Sequence, residues 1–325
     1  MIWAAWRQQR TETLIAVAIL GLLAALLVPT GIQMASAYHH DGLSACVGQT
    51  SSESCGNALD SFLSRFSSIG DLAAWFTLVP GLIGALLAAP FLLDLENGTY
   101  RLAWTQSITR RRWILTKVGL IVGAAIVGSV VLTLLATWWR APLVHINGRM
   151  ENAAFDSEGT VMIGYTLFAV GVALAVGVIW RRTVPALVVA FASYVAARIF
   201  VDTWLRQRYL SPLGATWRVT LSSVRGLPKP EQVGHAPANL HHAWVIDQYP
   251  SDRLGHHVAM LSGPCVRGVG SAVRCAAPQG ALYTHAVYQS ANRFWVFQGI
   301  ETALFGGVAV ALIVFASWWT HRRTS

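Results

Sequence analysis

Charge is scarce in this sequence. Charged residues fill 12% of its 325 positions, against about a quarter in an ordinary soluble domain. The shortage excludes a soluble chain, because recurring apolar runs of about 20 residues stand in its place. At 1.5 Å per residue, such a run crosses a ~30 Å hydrocarbon core. The hydrophobic content, 54%, excludes disorder. Cysteine is scarce too, with four residues and no Cys-x-x-Cys pair to suggest a zinc site. The phosphate-cradling pattern Gly-x-x-x-x-Gly-Lys-Ser/Thr does not occur. Neither Gly-x-Ser-x-Gly nor His-Glu-x-x-His is found, so a hydrolase reading lacks both nucleophile and metal pair.

What is present is a set of six apolar spans, at residues 14–34, 72–93, 113–139, 162–180, 184–204 and 294–319. The expected fold class is an all-α polytopic membrane protein. Residues 1–13 read as an interfacial helix, with Trp3 and Trp6 at headgroup depth beside Arg7 and Arg10. Five spans fall within 14–204, a sizeable extracytoplasmic loop domain occupies 205–292, and a sixth helix at 293–319 leads to a tail at 320–325. Arg7, Arg10, an apolar run and Ala35, Ser36 and Ala37 also fit a cleaved signal peptide. That run is long enough to span, which favours a retained helix. Gly119 and Gly123, four apart in the third span, suit close helix packing.

The net charge of +9 is concentrated at span ends. One set of short segments holds Arg7, Arg10, Arg101, Arg110, Arg111, Arg112, Arg181, Arg182, Arg322 and Arg323. The opposite short loops hold Arg65, Arg140 and Arg149. The positive-inside rule then places both termini in the cytoplasm. Anionic lipid, rather than nucleic acid, is the expected partner of this charge. Cys46 and Cys55 share one predicted outer loop, and Cys265 and Cys275 share the other, so two disulfides are expected on the oxidising side.

Ionisable residues stand near the outer ends of the last two predicted spans. Arg198 and Asp202 lie four apart on one helical face, and Glu301 enters the last span from the same side. A charge in a bilayer is costly unless paired, so a structural ion pair is expected ahead of a substrate contact. The adjacent pairs His39–His40, His241–His242 and His256–His257 lack the i, i+4 spacing that puts two ligands on one helical face, and solvated loop histidines are expected. Asp94 and Glu96 are two apart, about 200° around a helix, which does not build a catalytic carboxylate pair.

The most informative stretch links the second and third spans. It carries Asp94, Glu96, Gly98, Thr99, Arg101, Leu102, Trp104, Ser107, Thr109, the triplet Arg110, Arg111 and Arg112, then Trp113 and Lys117. Gly98 permits a sharp turn, a short helix can follow, and Ser107 or Thr109 can cap the next helix. This order of an acidic residue, Gly-Thr, a short helix, a Ser/Thr-Arg step and a downstream Lys resembles the ATP-binding-cassette type 2 transporter permease family. The wording from Ala103 to Ser107 looks like that of actinobacterial members. A proline common before the Ser/Thr-Arg step is absent, and the outer loops are longer than in minimal members. The resemblance implies a coupling helix at about 95–112, with Glu96, Gly98, Thr99, Arg101, Leu102, Trp104, Thr109 and Arg110 engaging a separate ATPase.

The resemblance further implies a non-enzymatic permease subunit in a bacterial plasma membrane. It would hold no cofactor, while two ATPase copies bind ATP and Mg. Six spans are half the usual set, so a second permease subunit is implied, most simply a homodimer. The apolar spans suit a lipophilic drug, natural product or lipid moved outward. A non-transporting scaffold or sensor, or a polytopic membrane enzyme, is the alternative.

Overall fold

The computed structural model describes residues 10–46, 53–100, 109–218, 220–222, 231–233, 236–258, 266–267, 273–274 and 283–323. Two compact units divide the chain. The first comprises residues 1–147, 152–206 and 295–325, and the second comprises 148–151 and 207–294.

The first unit is a helical bundle of α1 (Arg10–His40), α2 (Leu43–Cys46), α3 (Glu53–Phe76), α4 (Val79–Glu96), α5 (Arg110–Asn147), α6 (Asn152–Ser157), α7 (Val161–Trp180), α8 (Thr183–Phe200) and α9 (Phe294–Arg323). Six described helices are long and apolar enough to cross a membrane. At 20 residues, α7 measures about 30 Å, one hydrocarbon thickness. Arg10 to Thr13 already belong to α1 rather than to a separate interfacial helix; residues 1–9, with Trp3, Trp6 and Arg7, lie outside the described residues.

The second span differs from its predicted bounds. The chain turns at Thr77 and Leu78 between α3 and α4, because Pro80 belongs at the first turn of a helix, where its missing N–H costs nothing. The carbonyl oxygen exposed at Thr77 accepts the Tyr194 hydroxyl from α8. Unlike Pro80, Pro90 sits within α4, and the helix continues through it.

Helices α4 and α7 are the two most buried spans, each with 67% of its apolar window inside the bundle, against 28% or less in the other four. They pack along one another, with α5 and α8 against α7 and α1 against α5. Exposed Leu14, Val127, Leu134, Val184 and Val314 on the outer helices offer an apolar face that suits lipid. Small residues set the central spacing. A Cβ on Gly84 would fall inside the contact shell of the Thr166 carbonyl oxygen, one on Gly177 would strike Leu92, and one on Gly81 would strike the Tyr194 ring. Among the described residues, nothing makes the expected close packing at Gly119 and Gly123, where both face open space. Polar stitches add direction: Ser129 donates to Thr166 at 2.9 Å, and the Trp139 indole donates to Thr30 at 3.0 Å.

The second unit carries β structure, which the sequence pattern did not resolve. Strands β1 (Leu213–Arg218), β2 (Thr220–Ser222), β3 (Glu231–Val233), β4 (Trp244–Ser251), β5 (Val266–Arg267), β6 (Val273–Arg274) and β7 (Tyr283–Gln289) form three small sheets. The largest is antiparallel in the order β1-β7-β4, with a register shift between Val245 and Asp247. Central β7 buries Thr284, Ala286 and Tyr288 on one face by the two-residue period of a strand. Asp252 closes a turn after β4 by accepting the backbone N–H groups of Leu254 and His256, and the His256 bond chiefly holds its carboxyl below the usual value. Among the paired histidines, His256 meets Asp252 at 3.0 Å, and His241 and His242 have ring centroids 4.0 Å apart. Among the described residues, no three His, Cys, Asp or Glu side chains converge as metal ligands.

The glycine packing gives a paired test. Gly84→Ala should cost about 1–3 kcal/mol by overpacking the α4–α7 contact. Gly123→Ala should be neutral or slightly stabilising, as Ala is in an open helix position. Thermal unfolding of the purified protein in detergent checks both, and equal melting temperatures would contradict the packing argument.

Candidate functional site

At one end of the bundle, α4 finishes in the sequence singled out above. Asn97 donates its N–H to the Leu93 carbonyl, and Gly98 follows with φ +69°, the left-handed conformation that ends many helices. Three side chains then tie this end down. The first is Asp94, whose carboxylate pairs with Lys117 of α5, with the Lys117 side chain only 3% exposed. The second is Thr99, which donates to Asp94 Oδ1 at 2.8 Å, so the turn folds back on the ion pair. The third is Glu96, which reaches the link between α7 and α8, where its Oε2 accepts the Thr183 N–H at 2.8 Å. A carboxylate at a helix N-terminus meets both an orphan donor and the positive end of the helix dipole. That two-residue link is tight. Arg181 takes a left-handed φ of 54° and donates its N–H to Gly177 O at 2.8 Å.

The end of α4 is thus fixed to α5 by Asp94–Lys117 and to α8 by Glu96. Helix α5 resumes at Arg110 directly after Thr109, whose carbonyl accepts the Trp113 N–H at 3.1 Å. Lys117 also lies 5.5 Å from the Trp113 ring centroid. The range 95–112 is not one helix, since Leu95 and Glu96 close α4 while Arg110, Arg111 and Arg112 open α5. Arg101, Leu102 and Trp104 lie outside the described residues, as do Cys265 and Cys275.

The opposite end of the bundle holds a second polar constellation. Arg198 and Asp202 do lie on one face, yet they do not satisfy each other. The Arg198 guanidinium pairs with Asp156 of α6 and donates from Nη1 to Glu301 Oε1 at 2.9 Å and to the Tyr165 hydroxyl at 2.6 Å. Asp202 instead accepts from Arg206 Nη1 at 2.7 Å. Arg206 grips Glu301 with two nitrogens, at 3.0 and 2.9 Å, and reaches Asp156 at 2.6 Å. The Tyr165 hydroxyl donates to Glu301 at 2.5 Å. Each guanidinium also lies over an aromatic ring, Arg198 on Tyr165 at 4.2 Å and Arg206 on Phe155 at 4.4 Å.

The register explains the exchange of partners. After Phe200 the helix widens into a π turn over Val201–Leu205. In a regular α-helix, residue 206 would stand about 80° around from residue 198. Extra residues in the wide turn absorb most of that offset, so Arg206 joins Arg198 on the inward face. Asp156, Tyr165 and Arg206 were not singled out by sequence. Asp156 sits in a polar link and Arg206 at a span end, where charge is unremarkable; only the i, i+4 spacing of Asp202 and Arg206 signalled it. Nearby, Gln298 Oε1 accepts the N–H groups of Thr160 and Val161 at 2.9 and 3.1 Å, capping α7 from α9.

Cys46 and Cys55 form a disulfide joining α2 to α3. It lies at the same end as this ionic cluster, because α1 runs its whole length from Arg10 before reaching α2.

A bundle of six apolar helices, locked at one end by a loop clamp and at the other by buried charge, is a multi-pass membrane protein. The family described as ABC-2 membrane transporter related matches residues 17–206, more than half of the chain, and the chain belongs to that family. It is therefore an ATP-binding-cassette transporter membrane subunit, of a kind that is generally non-enzymatic and pairs with an ATP-binding-cassette ATPase. No curated protein and no solved structure matches the chain. The family match ends at Arg206, where the helical unit gives way to the β-containing one.

Two substitution tests follow. Glu301 is fully buried, and Glu301→Gln leaves two guanidinium groups short of charge, a change expected to cost about 3–5 kcal/mol. Asp202→Asn, at a side chain 31% exposed, should cost under about 1 kcal/mol. A stable, monodisperse Glu301→Gln protein that fails to transport would point to a substrate contact instead. In the clamp, Lys117→Met alone should destabilise by about 3–5 kcal/mol, whereas Asp94→Asn with Lys117→Met should recover much of that loss. Denaturation of both variants in detergent measures the coupling, and additive losses would show that the pair is not an energetic unit.

Proposed function

We propose that this chain is the membrane half of an exporter in the bacterial plasma membrane. It moves a lipophilic compound outward, using ATP and Mg held by two copies of a separate ATPase. A second copy of the chain completes the pathway. The observation that carries this reading is the doubly anchored end of α4, just ahead of the link to α5. An ATPase pushing on residues 97–109 acts on α5 through Asp94–Lys117 and on α8 through Glu96–Thr183. Rigid joints of this kind convert a partner's rotation into displacement of spans, which is how a domain motion becomes a membrane switch. A loop without such anchors would absorb the push.

Orientation is supported from both ends. Arg110, Arg111, Arg112, Arg181, Arg182 and Arg322 gather at the clamp end, as the positive-inside rule asks of the cytoplasmic face. The Cys46–Cys55 disulfide sits at the far end, which suits an oxidising exterior. Both termini are then cytoplasmic, and residues 205–292 are outside. In this reading Arg198, Asp202 and Glu301 brace the outer end rather than contact the substrate.

The test is a mild-detergent pull-down of the tagged chain from its host. A P-loop ATPase should co-purify in equal amount. It should be lost by at least tenfold, with the chain still folded, when Arg101→Glu is combined with Thr99→Ala. Recovery of the chain alone, or with a partner of another class, would overturn the proposal.

A further inference from the structure

Beside the clamp, the first turns of α5 and the last turns of α9 enclose a groove of roughly 420 Å³. Its walls are Arg111, Ile114 and Leu115 from α5 and Ser317, Trp318, His321 and Arg322 from α9. A second depression shares Arg111 and Leu115 and adds Thr109, Arg112 and Thr116. Among the described residues, no acidic side chain lines either one. The groove is graded along the bundle axis. Arginine and histidine stand at the helix ends, and one turn deeper the walls become isoleucine, leucine and tryptophan. Leu115 is 58% exposed and Trp318 47%, so this apolar floor opens outward from the bundle. Arg322 is held over the Trp318 ring at 4.9 Å from its centroid, which limits the conformational freedom it would lose on gripping a ligand.

We infer that this groove binds the headgroup and upper acyl chain of an anionic phospholipid. Arg111 and Arg322 contact the phosphate, while Leu115 and Trp318 receive the first methylenes. Three features select this occupant. Among the described lining residues the charge is of one sign, guanidinium groups match phosphate oxygens in a planar, two-point fashion, and the apolar floor begins about one turn below the charges. A soluble anion would use the arginines but not the floor. A zwitterionic lipid would place its cation against Arg111 or Arg322. The site depends only on the chain spanning a bilayer and is independent of what the subunit transports.

The experiment is native mass spectrometry of the purified full-length chain, titrated with phosphatidylglycerol or phosphatidylcholine in detergent. Phosphatidylcholine offers the same phosphate but sets its choline cation against Arg111 and Arg322, so phosphatidylglycerol should bind tighter on the order of tenfold, and 10 mM inorganic phosphate should not displace it. Arg111→Gln with Arg322→Gln should remove the preference. Arg181→Gln with Arg182→Gln, which deletes the same charge at the same end of the bundle, should leave it intact. The wild-type measurement stands alone should the double variant fail to fold. Equal binding of the two lipids, displacement by phosphate, or an equal loss in both arginine pairs would each overturn the assignment.

Discussion

Arg198 and Arg206 can sit inside a helical bundle only because three carboxylates and a tyrosine hydroxyl meet them there, and much of the surrounding architecture answers that demand. A buried guanidinium without its counter-charge is among the most costly groups a protein can hold. Asp156 must therefore come inward on the short helix α6, Glu301 must descend on α9, and the chain after Phe200 must widen into a π turn. Helices separated widely in sequence are joined by these contacts. With Gln298 capping α7 from α9, the last span is tied into the bundle by polar bonds as well as by packing.

The other end of the bundle uses the same chemistry sparingly. Asp94–Lys117, Thr99–Asp94 and Glu96–Thr183 are single contacts, each placed where a helix begins or ends. Between the two ends, spacing is set by contact between glycines and the neighbouring helix, as at Gly84 against Thr166 and Gly177 against Leu92. A bundle close-packed at its centre and pinned at its ends moves in discrete rearrangements more readily than it bends. A transporter subunit driven from one end has use for that property. The close-packed contact of α4 with α7 and the arginine-lined rim of α5 and α9 divide the labour between packing and membrane contact.

The candidate site was partly legible in residue order. Glu96, Gly98, Thr99 and Lys117 stood out as a motif, and Gly98 takes the left-handed turn that its residue type allows. Their physical roles did not stand out. That Glu96 caps a helix 87 residues away, and that Lys117 pairs with Asp94 rather than facing solvent, depends on the packing of α4, α5 and α8. The ionic cluster shows the same division. Arg198, Asp202 and Glu301 attracted notice because charge in an apolar run is conspicuous, whereas Asp156 and Arg206 lay in segments where charge is ordinary.

Sequence by itself determined that this chain has six segments long and apolar enough to cross a membrane, because span length and apolarity are local properties set by bilayer thickness. It also determined the arginine asymmetry between the two ends and the family motif after the second span. Tertiary structure alone decided which charges pair, which glycines pack, and that 207–294 contains an antiparallel sheet. The reason is common to all three. Each depends on a partner distant in sequence, and a helix tens of residues away leaves no trace in the local pattern of the residues it will touch.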